Sequence, residues 1–463
     1  MPRLTLVALA FFSVALILAL PGVAAAQLQP DQEAALNKIA RGQDFAWTEL
    51  TPQQAEALHA KAEAYLENYQ KVHQPQGLEA DILWADRERT NPLTYEGIGD
   101  SITWTGHYLA ALALRYHVTH DPKSRADMLP VLDSFDLLIT ISGRDGYITR
   151  YTGDAEDAAY RNYYSVYGKG EDPERPGLGK SAYRGEGPYG KLVWLGNSSR
   201  DVYDGAAIGL ATVWVYVADP EIHARVKKII ERIADRLIAD DWYIVDGKGH
   251  RTRPTPSFKL EWMRLALTAN PERFAALQET YNQAVDAAPK TGPRLDSKQR
   301  SMYFPANLDF IRMFVLATLE PDPAKKTFFQ QVIRDAYTKQ AADHLNAHFA
   351  ALYMTATGDT TNANARATLQ GALYDFPDPP KMARAVDHRN DPKFEMDDAE
   401  YTKYAMLPHD RLPHDFIWQR SPCLAHGSTD APLEYPGIDV FLPYWLGRVS
   451  GAIPAPTAAP AAK

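Results

Sequence analysis

The chain has 463 residues, a formal net charge of −9, 25 Tyr, 9 Trp and one Cys. The acidic balance excludes the basic footprint expected of a nucleic-acid binder. The single Cys423 excludes a disulfide within the chain, so stability must rest on a hydrophobic core that this length readily supplies.

Residues 1–26 read as a cleavable export signal. Arg3 precedes an apolar run from Leu4 to Leu20, and Ala24-Ala25-Ala26 precedes Gln27 in a small-residue cleavage pattern. The expectation is a periplasmic or secreted protein with no membrane insertion after cleavage; a membrane anchor is the alternative, given the length of the apolar run. Residues 27–450 form one expected domain, and the Ala/Pro run 451–463 reads as a disordered tail.

A short helix is expected over Asp31–Arg41 and a longer one over Thr51–Val72, opened by Thr51-Pro52. Residues 75–102 read as loop. The apolar segment Thr103–Val118 then stops at Thr119-His120-Asp121-Pro122, and an amphipathic helix follows to about Ile141. The same pairing recurs as Asp204–Val217 with Glu221–Ala239, Phe258–Ala269 with Glu272–Ala287, Ala306–Leu319 with Ala324–Ala341, and His344–Thr357 with a helix to Leu373. Gly437–Val449 closes the series, with Thr51–Val72 as its outer partner. Helices apolar all round are buried and amphipathic ones lie outside, and a repeated helix pair is a signal of architecture. The predicted fold is all-α, an (α/α)6 toroid of six inner and six outer helices. The long connections 75–102, 143–202, 241–257, 288–305 and 374–436 then gather on one rim, with room for short β-hairpins.

All inner helices would point their N-termini at that rim, where open N–H groups and the positive dipole end suit anionic or hydroxyl-rich ligands. The candidates are the residues entering each inner helix. They are Glu96, Asp100, Trp104 and His107 at the first, and Arg200, Asp201, Tyr203 and Asp204 at the second. Lys259 and Glu261 enter the third; Tyr303, Asn307, Asp309 and Arg312 the fourth; His344, Asn346 and His348 the fifth; Glu434, Tyr435 and Asp439 the sixth. A charge on an inner helix needs a partner or a polar cavity.

Each candidate also has a plainer reading. Asp100 with Ser101, or Asp201, caps a helix; Asp204 complements the dipole; His107 is a hydrogen-bonded core histidine; Glu261 and Asp309 pair with Lys259 and Arg312. His344 and His348 have the i, i+4 spacing of a zinc pair, but Leu345 stands where a Glu would accompany them, so neither metal nor cofactor is expected. The loop 143–202, with Glu186-Gly187-Pro188-Tyr189 and Trp194, reads as a lid or hairpin. The segment His414–Pro422 reads as a second rim element, in which Trp418 stacks on a sugar and Arg420 binds a carboxylate; ordinary loop packing is the alternative.

The stretch Thr103-Trp104-Thr105-Gly106-His107-Tyr108-Leu109-Ala110-Ala111-Leu112, ending in Thr119-His120-Asp121-Pro122, resembles the inner-helix entry of unsaturated glucuronyl hydrolases. Arg200-Asp201-Val202-Tyr203-Asp204-Gly205 resembles their second such entry, where those enzymes place a catalytic Asp. As architecture, the resemblance to the six-hairpin glycosidase superfamily covers residues 50–450, and (α/α)6 polysaccharide lyases and sugar epimerases are similar more loosely. The resemblance implies an exported glycoside hydrolase acting on an acidic oligo- or polysaccharide. Asp204 is then the general acid/base with Asp100 as its partner; Trp104 and Trp418 stack on sugar rings, and Arg200 or Arg420 binds a uronate. Asp201, Glu434, Asp439 and His348 complete the substrate site. A lyase on the same fold would take Tyr203 or His107 as base. A toroid that binds glycan without turning it over is the non-enzymatic reading.

Overall fold

The computed structural model describes residues 27–161, 171–172, 175–179, 181–246, 249–288, 303–427 and 429–456. The expected export signal, parts of the 143–202 and 288–305 loops and residues 457–463 of the tail lie outside the described residues. Among the described residues no helix is long and apolar enough to cross a membrane.

The chain is mainly helical with small antiparallel sheets. Helices α1 (Pro30–Ala40) and α2 (Pro52–Val72) lead to α3 (Ser101–Thr119), which is buried without a break from Ser101 to Leu114. It is followed by α4 (Pro122–Leu138). The next pair is α5 (Arg200–Tyr216), continuously buried from Val202 to Val213, and α6 (Pro220–Ala239). Helix α6 buries one stripe, from Ile222 through Val226, Ile229, Ile230, Ile233 and Leu237, and keeps its charges outside. Then come α7 (Pro256–Ala269), α8 (Leu277–Asp286), α9 (Phe304–Leu319), α10 (Pro323–Ala336), α11 (Ala347–Thr357), α12 (Ala363–Asp375) and α13 (Ile438–Ser450).

Three amphipathic helices begin with the same device. Asp121, Asp219 and Asp322 each accept a backbone N–H of the first turn, and the Pro that follows supplies a preset φ at a position needing no donor. These Asp-Pro pairs make the tight reversals after α3, α5 and α9. The apolar helices touch in succession, α3 on α5, α5 on α7, α7 on α9, α9 on α11, α11 on α13 and α13 back on α3, and α5 also packs directly on α9, more extensively than on α7. Helices α4, α6, α8, α10, α12 and α2 pack on them in turn.

Four details depart from the reading of the sequence. The 75–102 stretch is not all loop: β1 (Asp81–Trp84) and β2 (Pro92–Glu96) pair there, and β1 also pairs with Leu433–Tyr435, whose other neighbour is Lys381–Met382. Residues 271–276 form turns, so α8 starts later than Glu272. A π-helical turn over Tyr337–Ala341 follows α10. The fifth apolar helix starts at Ala347, because Leu345 takes a left-handed φ of 49° and Asn346 caps the helix by accepting from Phe349 N. His344 therefore precedes the helix, its Nδ1 lies 3.0 Å from the Tyr303 hydroxyl, and the i, i+4 imidazole pair does not form. Among the described residues no group of three or more His, Cys, Asp or Glu is placed to hold a metal.

Candidate active site

The site follows from how closely α3 and α5 approach. A Cβ on Gly106 would stand 1.9 Å from the Gly205 carbonyl oxygen, one on Gly205 would stand 2.3 Å from Thr103 Cα, and one on Gly209 would stand 2.7 Å from the Gly106 carbonyl oxygen. The two helices therefore meet backbone to backbone, which only glycine permits. Their N-terminal ends are drawn together with them, and the carboxyl groups of Asp100 and Asp201 act on each other there.

Arg150 locks this junction. Its guanidinium donates to Asp100 Oδ1 at 3.0 Å, to the Gly99 carbonyl at 2.5 Å and to Ser199 Oγ at 2.7 Å, so it spans the starts of both helices. Asp100 occupies the N-cap position of α3 yet makes no side-chain cap bond, so its side chain does not cap the helix. Ser199, Tyr303 and Gly437, before α5, α9 and α13, also leave their helix ends uncapped by side chains, whereas Thr255 and Asn346 do cap α7 and α11. Burial and the charge of Asp201 push the Asp100 carboxyl up to about 6, against the pull of Arg150. Its side chain is nevertheless 47% exposed. It is a carboxyl open to solvent.

A second tier of acids backs the pair. The β1–β2 register sets Asp81 opposite Glu96, and Lys381–Met382 borders the same sheet. Burial and the neighbouring charges of Asp81 and Asp415 hold Glu79 well above 4.5; burial and Asp415 do the same for Asp81 relative to 3.8. Both Glu79 carboxyl oxygens and one each of Asp81 and Asp415 are buried without a hydrogen-bond partner. Arg420 lies 3.8 Å from Asp415, and His414 is kept neutral, at about 4, chiefly by burial.

Arg150, Asp415, Glu79, Asp81 and Lys381 are not among the candidates that the sequence offers. Arg150 and Asp415 sit on long connections whose course no local pattern dictates. Asp415 does belong to the expected 414–422 rim element, whose expected chemistry rests on Trp418 and Arg420.

The other candidates divide between scaffold and margin. Asp204 sits one turn deeper than Asp201 and is fully buried, gripped by Arg312 through Nε (3.1 Å) and Nη2 (2.5 Å), while Arg312 also holds Asp309 at 2.8 Å. Burial raises Asp204 above 3.8 while Arg312 draws it down; Glu261, beside it, is pushed well above 4.5 by burial and by Asp204. Of the two, Asp204 is the carboxyl that Arg312 pairs, and the push toward the protonated form is stronger on Glu261. Tyr203 is buried, and its hydroxyl accepts from Ile148 N at 3.1 Å, with burial raising its titration.

Trp104 is buried and stacks on Phe416 with centroids 4.8 Å apart. Trp418 is buried too, donating from Nε1 to the Asp439 carbonyl at 2.5 Å. Neither indole has a free face for a sugar, which corrects the expectation that they stack on substrate. Asp439 is fully buried, tied to Lys381 and accepting from Ile417 N at 2.8 Å. Glu434 is held by Arg89 Nε at 2.7 Å, Trp84 Nε1 at 2.8 Å and Asn68 Nδ2 at 2.8 Å. These two acids anchor the sheet and α13 rather than a ligand.

His107 and His348 are both buried, with ring centroids 5.9 Å apart. His107 Nδ1 meets the Thr103 carbonyl at 2.7 Å, and burial lowers its titration to about 4. Burial lowers His348 well below 6.5, and neither of its ring nitrogens has a partner. Arg200 lies half-buried at the start of α5, donating to the Arg253 carbonyl at 2.8 Å. The structure thus leaves Asp100, Asp201, Arg200 and Arg420 at least partly open to solvent, and takes Asp204, Tyr203, Trp104, Trp418, His107, His348, Glu434 and Asp439 into the core. Compared with known proteins, the chain matches no family model, no curated protein and no solved structure.

Proposed function

We propose that this chain is an exported glycoside hydrolase built as an (α/α)6 toroid, acting on an acidic oligo- or polysaccharide. The closed succession of contacts among the apolar helices, each with an outer partner, supports a toroid, one drawn in where α5 packs on α9. One observation carries the function: the Asp100–Asp201 pair, partly open at adjoining helix starts, with one carboxyl brought to about 6. Hydrolysis needs a proton donor for the leaving oxygen and a carboxylate that activates water. In this reading Asp100 is the donor and Asp201 the carboxylate, a shift by one helical turn from the Asp204 assignment. Arg150 orients Asp100, and Arg200 and Arg420 attract the uronate. The burial of Tyr203 and His107 weighs against the lyase alternative, because each base would be out of reach of a polymer.

The test is product analysis on a panel of acidic and neutral polysaccharides, by mass spectrometry and ultraviolet absorbance. Wild-type protein should release saturated reducing ends, and Asp100→Asn or Asp201→Asn should lose turnover by at least about a hundredfold while binding persists. An unsaturated, ultraviolet-absorbing product would overturn hydrolysis in favour of a lyase. Affinity without any turnover in the wild-type protein would leave a glycan-binding toroid.

A further inference from the structure

Ile148, two residues before Arg150, has both of its backbone groups bound by side chains from the start of α5. Its N–H donates to the Tyr203 hydroxyl at 3.1 Å, and its carbonyl accepts from Ser198 Oγ at 2.6 Å. The Tyr147 hydroxyl donates to Ser198 Oγ and accepts from Ser198 N, each at 3.1 Å. All four residues are buried. Arg150 adds its own N–H to the Leu195 carbonyl and its Nε to the Asn197 carbonyl, both at 2.9 Å.

These bonds fasten residues 147–150 onto 195–203, and the consequence reaches the carboxyl pair. Tyr203 stands on α5 two residues beyond Asp201. The helix that carries Asp201 therefore also fixes the backbone from which Arg150 reaches Asp100 Oδ1 at 3.0 Å and Ser199 Oγ at 2.7 Å. A held arginine gives up much rotamer freedom, so its guanidinium stays in place only where its backbone is fixed. Phe at position 203 would keep the edge contacts of the ring with Phe258 and Trp262, at 5.9 and 5.8 Å between centroids. It would leave the buried Ile148 N–H without an acceptor, a state the chain relieves by moving that segment.

We infer that Tyr203, together with Ser198, is a positioning residue for the Asp100–Asp201 pair, acting through Ile148 and Arg150 and not by touching substrate. The inference rests on the reading of that pair as the reacting carboxyls. Asp201 of α5, Arg150 and Asp415 act on the Asp100 carboxyl, and Glu79 interacts with it from the stretch before β1. Of these four groups Arg150 alone is cationic and favours ionised Asp100. When its hold slackens, Asp100 keeps its proton to higher pH.

The test follows Asp100 directly, by 13C NMR titration of protein labelled at the aspartate side-chain carboxyls, with the Asp100 signal assigned by its loss in Asp100→Asn. Tyr203→Phe should raise the midpoint by about half a pH unit and Arg150→Met by about one. The double variant should go no higher than Arg150→Met, because both changes act along one path. Tyr337→Phe removes another buried hydroxyl, bonded to Asn364 Oδ1 at 3.0 Å, and should leave the midpoint in place. If Tyr203→Phe does not fold, Ser198→Ala takes its place with the same expectation. A midpoint unmoved in the folded variant, moved equally by Tyr337→Phe, or moved by Tyr203→Phe even in the absence of Arg150, would overturn the assignment. No substrate enters the titration, so a shifted midpoint in a protein that cleaves no glycan upholds the link from Tyr203 to Asp100 and refutes the hydrolase reading alone.

Discussion

Replacing Asp100 by Asn should make the protein more stable near neutral pH while disabling the site. Asn reproduces the shape of a protonated carboxyl without its charge. Burial and Asp201 move the Asp100 carboxyl from 3.8 to about 6, so ionising it is costlier in the folded protein than in the unfolded chain. Taken at face value such a displacement is worth about 3 kcal/mol. With the side chain 47% exposed, solvent screening leaves about 1 kcal/mol of that.

The sign follows from the direction of the shift. The folded value lies above the unfolded one, so this group's contribution is fully present below 3.8 and is lost as pH rises through about 6. Asp100→Asn escapes that loss. Urea unfolding at a pH below 4, near 6 and near 7.5 should show the two proteins alike at the lowest pH, and the variant ahead by about 1 kcal/mol at the highest. A variant less stable than wild type near pH 7.5, or a difference that does not change with pH, would refute the account of the pair.

Gly205→Ala should destabilise the fold, although helix propensity alone favours Ala by roughly 1 kcal/mol. Its Cβ would stand 2.3 Å from Thr103 Cα, and prising α3 from α5 should produce a net loss of about 2 kcal/mol or more in urea unfolding; an unchanged midpoint would refute the close contact. Arg312→Met leaves Asp204 buried without its counter-charge and should cost about 3–5 kcal/mol, whereas Glu261→Gln, replacing a group pushed toward its protonated form, should change stability by less than about 1 kcal/mol. Equal effects of the two in chemical denaturation would contradict the stronger push toward the protonated form on Glu261. His348→Phe removes two unpartnered ring nitrogens from the core and should leave stability unchanged or raise it by about 1 kcal/mol. A large loss in the unfolding midpoint would reveal a partner for that imidazole.

Sequence alone determined the helix pairs and which member of each is buried, because both depend on local signals. Asp121-Pro122, Asp219-Pro220 and Asp322-Pro323 set the reversals by capping and by a fixed φ, and runs such as Ile208–Val213 have no polar face to show water. It also marks the helix starts as candidate sites, and Asp100 and Asp201 meet at two of them. Only the tertiary structure decided between Asp201 and Asp204. They lie three residues apart on one helix, and their difference is depth: the deeper one falls level with Arg312 of α9, the shallower one with Asp100 of α3. That level is set by where Gly205 lets the α3 backbone touch α5, a contact between segments a hundred residues apart. Arg150 and Asp415 reach the site on long loops, whose paths follow the packing of the whole assembly and leave no periodic trace in the chain.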